Sequence, residues 1–267
     1  MRIAIVAPSC PLDRAVVPML EARAAAAGAE LAIHPQSFMT QGHFAGPDAA
    51  RLDALRQVLG DDSVDAIWCA RGGYGSNRIA EALTTDLPDS AHSKTVLGYS
   101  DAGFLLSALH QKGVEVVHGP MVQDGLRTDG EAALDRALAW LVRRDAAALE
   151  PDIANDRPTY AFNLEVLVSM LGTPIAPDLE GCELLIEEVA EHLYAIDRAM
   201  FVLTGQAVCP ASLRLGRVSA VPHNEPDFGE QPEAIVRHWC ARSGIEFRGS
   251  ADIGHDADNR IVPFAQR

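Results

Sequence analysis

The apolar and polar positions of this chain follow two rhythms. Short, nearly continuous apolar runs ("RIAIVAP", "ELAIHP", "VDAIWCA", "KTVLG" and "VEVVHG") read as buried strands, each bounded by Gly, Pro or polar residues. Between them the pattern becomes helical. Residues 12–27 form an Ala-rich helix ending at Gly28, and residues 47–59 set Leu52, Leu55 and Leu59 at helical spacing. Further helical segments open at Asn77 and Ala102, and "EAALDRALAWLVRRDAAALE" predicts a helix that closes this half. "PDIANDRPTYAFN" breaks the rhythm with two prolines and reads as a connector. Beyond "LEVLVSMLGTP" the alternation returns. Strands "CELLIEE", "LRLGRVSAV" and "EFRGSADIG" are separated by helices "HLYAIDRAMFVLTG" and "PEAIVRHWCARSG".

Strands alternating with helices predict βαβ units and parallel sheets. The expected fold class is therefore α/β: an N-terminal Rossmann-like parallel-sheet domain over residues 1–150, a connector over 151–175, and a smaller α/β domain over 176–267. Two such units create a cleft between them, and ligands bind beyond the carboxyl ends of the strands.

Composition narrows the class of function. With 267 residues, 48% of them hydrophobic, the chain can bury a substantial core. A formal charge of −15 argues against a nucleic-acid or anionic-membrane partner, since both need basic patches. It leaves room for a small anion held by a local Arg. The five cysteines are an odd number, widely spaced and without a C-x-x-C pair, which predicts free thiols in a reducing compartment. No histidine pair has metal-ligand spacing, "MRIAIVAPS" makes a poor signal peptide, and no apolar run reaches membrane-spanning length. A cytoplasmic protein is expected.

Candidate chemistry gathers where predicted strands end. Gly98-Tyr99-Ser100-Asp101-Ala102 joins an apolar strand to a helix, the layout of a nucleophile elbow. Ser at that point also makes an ordinary helix N-cap, and the pentapeptide alone leaves both readings open. In "CARGGYGSNRI", Gly72, Gly73 and Gly75 permit positive φ and leave backbone N–H groups bare. That suits an anion or a developing oxyanion, and equally a plain βα turn. Arg71 beside it can pair with a substrate carboxylate or make a structural salt bridge. Glu187 and Glu188 close a strand, where acids either do chemistry or complement a helix dipole. His255 lies in the Gly/Asp/Asn-rich "DIGHDADNRIVP", where a solvated side chain is the bland alternative. Cys10 and Cys69 adjoin loops, so a thiol nucleophile enters the comparison, with Cys69 better suited to the core. Ser100, Glu187 and His255 each follow a strand, so they can converge as nucleophile, orienting acid and base.

The ordered segments "VAPSCP", "RGGYGSNRI", "LGYSDAG", "HGPM", "FNLEVLVSMLGTP", "LLIEEVAEHLYAIDR" and "GHDADN" resemble the LD-carboxypeptidase family over nearly the whole chain. These are serine peptidases of the muramoyl-tetrapeptide carboxypeptidase and microcin C immunity type. The resemblance implies Ser100 as nucleophile, His255 as general base and Glu187 orienting it, with Glu188 as the fallback. It implies an oxyanion hole from the Asp101 N–H and a backbone N–H of the Gly72-Gly73 turn. Arg71, Tyr74, Cys10 and Asn163 become candidates for the substrate cleft. It further implies a cytoplasmic enzyme without metal or cofactor that cuts murein tetrapeptide between meso-diaminopimelate and D-alanine, and a homodimer. A relative of the microcin-immunity kind would instead cleave a peptidyl- or aminoacyl-nucleotide amide.

Departures from the family pattern bear on the substrate. Cys10 stands where the family usually has Gly, Ala161-Phe162 precede Asn163 where glycines are common, and "EHLYAIDR" lacks prolines often found there. The chain stops soon after "IVPFAQR", so a terminal strand is expected to be missing or rearranged. An expectation of another class is a non-catalytic, two-lobed module for a small anion, with Ser100 as a mere N-cap. The two classes part on whether Ser100, His255 and Glu187 meet.

Overall fold

The computed structural model describes residues 1–153 and 157–264, which leaves part of the connector and the last three residues of "IVPFAQR" outside the described residues. The larger sheet is built from β1 (Arg2–Val6), β2 (Glu30–Ile33), β3 (Ala66–Cys69), β4 (Thr95–Gly98) and β5 (Glu115–His118), all parallel. Its order is β2-β1-β3-β4-β5, followed at the far edge by the antiparallel β10 (Val262–Pro263). The order reverses between β1 and β3, so the crossovers from these two strands leave toward opposite sides and open a crevice at their carboxyl ends. The loops after β1, β3 and β4 meet there.

Both faces of this sheet are covered, as continuous apolar strands require. On one face Ile3, Ile5 and Trp68 pack against Leu20 of α1 (Val17–Ala27) and Leu134 and Leu138 of α5 (Gly130–Arg143). On the other, Val6 and Ile67 lie under Leu55 of α2 (Asp48–Gly60), Ile79 of α3 (Asn77–Thr85) and Leu105 of α4 (Gly103–His110). This second core continues without interruption into the C-terminal unit through Phe162, Leu185 and Met200. Each such side chain contributes about 1.5–3 kcal/mol of burial. The helix that follows Ser100 is thereby fixed to both units.

The smaller sheet runs β6-β7-β8-β9, with β6 (Thr159–Asn163), β7 (Glu183–Val189), β8 (Ser212–Ser219) and β9 (Glu246–Ser250) all parallel. Helices α6 (Leu164–Met170), α7 (Leu193–Thr204) and α8 (Pro232–Ser243) complete it.

Three features differ from the sequence reading. Thr159–Asn163, read as connector, is an edge strand with all five residues buried. The helix expected to run to Glu150 ends at Arg143, where Arg144 turns left-handed at φ 51° and Asp145 caps a separate 3-10 turn. A short strand that the sequence reading did not place, β10, pairs Val262–Pro263 with the first sheet.

Candidate active site

Ser100 follows β4 with φ 56°, the left-handed region that a β-carbon disfavours. A non-glycine residue there costs of order 1–3 kcal/mol and marks a backbone held in place by its surroundings. The result is a sharp strand-to-helix turn that presents the hydroxyl above the sheet. The same residue opens a 3-10 turn leading into α4, so an elbow and a helix start coincide here. The N-cap position of that turn is held by Tyr99 and that of α4 by Ala102, not by Ser100.

His255 and Glu187 come from the other unit. Glu187 sits near the end of β7 beside a register shift between Ile186 and Glu188, and such an irregularity re-aims a side chain. Gly216 of β8 lies opposite, where a β-carbon would fall 2.7 Å from the Ile253 carbonyl oxygen and 3.1 Å from Glu187 Cβ. Only a bare Cα lets the His255 loop approach this closely. The Arg217 N–H donates to the Ile253 carbonyl at 2.8 Å, and the Arg217 guanidinium binds Asp256 on the other side of His255. Asn259 Oδ1 accepts from the Gly254 N–H at 3.2 Å and lies 3.1 Å from His118 Nε2. Burial pushes His118 down to about 4, which leaves it neutral near pH 7.

These supports bring three side chains into line. His255 Nε2 lies 3.0 Å from Ser100 Oγ, and His255 Nδ1 lies 2.7 Å from Glu187 Oε2. The Glu187 side chain is fully buried and that of His255 is 9% exposed, so the contact is shielded from solvent screening. With Glu187 ionised, Nδ1–H donates to the carboxylate, and Nε2 is left to accept the Ser100 proton. The alternative acid, Glu188, points elsewhere. Its oxygens accept from Asn163 Nδ2 at 2.6 Å, the Val189 N–H at 2.8 Å and the Glu165 N–H at 2.9 Å.

The glycine turn closes over the Ser hydroxyl. A β-carbon at Gly72 would stand 3.2 Å from Ser100 Oγ, and one at Gly73 would be 2.3 Å from Cys10 Sγ. Gly73 also has φ 106°. The turn is tied to the elbow by Asp101, whose buried carboxylate accepts from the Ser76 N–H at 2.9 Å, the Gly75 N–H at 3.3 Å and the Ser9 hydroxyl.

Two cavities meet at Ser100. One, of about 460 Å³, is lined by Arg71, Gly72, Gly73, Asp124, Arg127 and His255 among others. The other, also about 460 Å³, includes Tyr74, Asn163, Glu165, Glu188 and Glu191. Arg71 is exposed and forms no ion pair with any described residue; its Nη1 is 3.3 Å from the Pro11 carbonyl. Asn163 caps α6 through its Oδ1, 3.1 Å from the Val166 N–H, while binding Glu188. Cys10 lies beneath Gly73 with its Sγ 3.1 Å from His43 Nε2, and it lines neither cavity. Cys69 is fully buried and its thiol is pushed up to about 12, mainly by desolvation, which rules out a thiolate nucleophile there.

The sequence reading passed over Tyr99, Asp124 and Arg127. Tyr99 packs its ring 4.9 Å from that of His255, and its hydroxyl donates to Asp124 Oδ1 at 3.0 Å. Burial raises the Tyr99 phenol well above its usual range, so it stays a donor. Among the described residues no group of three or more His, Cys, Asp or Glu is placed to hold a metal ion. No helix among them is long and apolar enough to cross a membrane.

Comparison with known proteins agrees with this architecture. The LD-carboxypeptidase N-terminal domain matches residues 3–119, and the LD-carboxypeptidase C-terminal domain matches 159–267. A probable murein peptide carboxypeptidase of Bacillus subtilis is 31% identical over 240 residues, covering 85% of this chain and 75% of its own. The crystal structure of muramoyltetrapeptide carboxypeptidase from Oxalobacter formigenes shares the fold, with TM-score 0.82, 23% identity and coverage of 99% and 93%. So does the microcin C7 self immunity protein MccF in complex with aspartyl sulfamoyl adenosine, with TM-score 0.77, 16% identity and coverage of 100% and 96%. The chain belongs to the LD-carboxypeptidase family of serine carboxypeptidases.

Proposed function

We propose that this chain is a cytoplasmic LD-carboxypeptidase of peptidoglycan recycling that removes the terminal D-alanine from murein tetrapeptide through Ser100, His255 and Glu187. The observation that carries the reading is the buried series Glu187 Oε2, His255 and Ser100 Oγ, with contacts of 2.7 and 3.0 Å, assembled from both units. In the first step Ser100 Oγ attacks the diaminopimelyl carbonyl carbon while His255 Nε2 takes the hydroxyl proton. The carbonyl oxygen becomes an oxyanion facing the Asp101 N–H and the Gly72-Gly73 turn, where each preorganised donor is worth about 10²–10³ in rate. His255 returns its proton to the amide nitrogen, the C–N bond breaks and D-alanine leaves. Water, deprotonated by the same imidazole, then hydrolyses the Ser100 ester. Glu187 holds the tautomer and stabilises the imidazolium.

The likeness to MccF supports a second reading with the same three side chains and a different amide, that of a peptidyl- or aminoacyl-nucleotide. Mass spectrometry of purified protein incubated separately with L-Ala-γ-D-Glu-meso-diaminopimelate-D-Ala and with an aminoacyl sulfamoyl nucleoside separates the two. Release of D-alanine with the nucleoside intact supports the first. The reverse outcome replaces it.

A further inference from the structure

Ser100 stands where two cavities join, and only one of them also contains His255. That asymmetry fixes the direction of the substrate. The imidazole that takes the Ser proton must deliver it to the departing nitrogen, so the leaving residue occupies the cavity that His255 lines. Its carboxylate carbon is only two bonds from that nitrogen, about 2.5 Å away. A negative charge therefore enters this cavity together with the leaving group.

The charges on the two walls differ in sign. The His255 cavity carries Arg71 and Arg127 against a single carboxylate, Asp124. The opposite cavity contains Glu165, Glu188 and Glu191 and neither Lys nor Arg. A free terminal carboxylate is attracted on one side of Ser100 and repelled on the other.

Arg127 is held for this task. Its Nε donates to Asp124 Oδ1 at 2.7 Å, and Asp124 is itself fixed by the Tyr99 hydroxyl at 3.0 Å and the Met121 N–H at 2.8 Å. Tyr99 adjoins Ser100 in sequence and packs on His255, so one short chain of contacts links the guanidinium to the reacting groups. A guanidinium has five N–H donors in a fixed plane, and binding Asp124 through Nε leaves donors for a second carboxylate.

We propose that Arg127, assisted by Arg71, holds the C-terminal carboxylate of the leaving residue and so makes the enzyme an exopeptidase. The inference rests on the carboxypeptidase reading above and adds the residues that recognise the chain end. Charge-assisted contacts of this kind change affinity by roughly 10- to 100-fold when one partner is removed.

The experiment compares the murein tetrapeptide with its C-terminal D-alaninamide, using wild type, Arg127→Ala, Arg127→Gln and Arg71→Ala. Released D-alanine or D-alaninamide is quantified by mass spectrometry. Wild type should favour the free acid. Arg127→Ala should lose about 10- to 100-fold in kcat/KM on the acid, largely in KM, and less than about twofold on the amide. Arg127→Gln guards against misfolding and should show the same collapse of selectivity, with Arg71→Ala giving a smaller one. An unchanged acid-to-amide ratio in both Arg127 variants overturns the proposal, as does an equal loss on both substrates. Failure of wild type on both peptides removes the carboxypeptidase reading itself, and this inference with it.

Discussion

Asp101 adjoins the nucleophile, yet its carboxylate reaches away from Ser100 to the glycine turn. Replacing it with Ala keeps the Asp101 backbone N–H and deletes only the acceptor. Three buried donors then lose their partner: the Ser76 N–H at 2.9 Å, the Gly75 N–H at 3.3 Å and the Ser9 hydroxyl. An unsatisfied buried donor costs about 1–3 kcal/mol, but the Gly75 contact is long and the Ser9 hydroxyl can rotate, so about 3 kcal/mol in all is expected. At about 2–4 °C per kcal/mol for a chain of this size, Asp101→Ala should melt about 6–12 °C below wild type. Asp101→Asn should fall between the two, because its amide keeps one acceptor and turns N–H groups toward the other donors. Because the freed segment carries Gly72 and Gly73, kcat should also drop by about tenfold or more. Thermal unfolding by circular dichroism, paired with D-alanine release below the melting range, reads both effects. A melting temperature within about 2 °C of wild type with unchanged kcat would refute the role assigned to this side chain.

Gly73→Ala places a β-carbon against Cys10 Sγ at a φ of 106°, so it should cost about 10²-fold in kcat, and wild-type turnover would show that the turn plays no part. Glu188 is raised by burial to about 7 from an ordinary 4.5, so the folded state keeps a proton that the unfolded chain gives up. Stability from this group is fully present below pH 4.5 and is lost as pH rises through 7, by up to about 3 kcal/mol. Denaturant titrations at acid and neutral pH should show that decline in wild type and a flatter dependence in Glu188→Gln; equal slopes would contradict it. Excess chelator should leave D-alanine release unchanged, and loss restored by added metal would overturn a serine mechanism.

The strand-and-helix order of the first unit was legible because each strand is a continuous apolar run ended by a turn signal. The strand Thr159–Asn163 was not: it follows Pro158, has polar ends and is only five residues long, so its burial on both sides leaves no alternation to read. The final strand is two residues including a proline, which suits an edge and carries almost no pattern. Ser100, Glu187 and His255 could be nominated from strand ends, but neither the left-handed turn at Ser100 nor the irregularity that aims Glu187 past Glu188 is a property of local sequence. The two contacts they serve, Glu187–His255 and Ser100–His255, join residues 68 and 155 positions apart. Arg127 escaped notice for a related reason. Its significance comes from Asp124 and Tyr99 holding it in the cavity that His255 also lines, whereas "VQDGLR" by itself reads as a polar loop.

The central claim is that Ser100 performs the chemistry with His255 and Glu187 behind it. Its most direct test is D-alanine release from murein tetrapeptide by wild type and Ser100→Ala, measured in parallel at neutral pH. Wild type should release D-alanine, and the variant should lose at least about 10³-fold in kcat while keeping its fold. Full activity in Ser100→Ala would contradict the account.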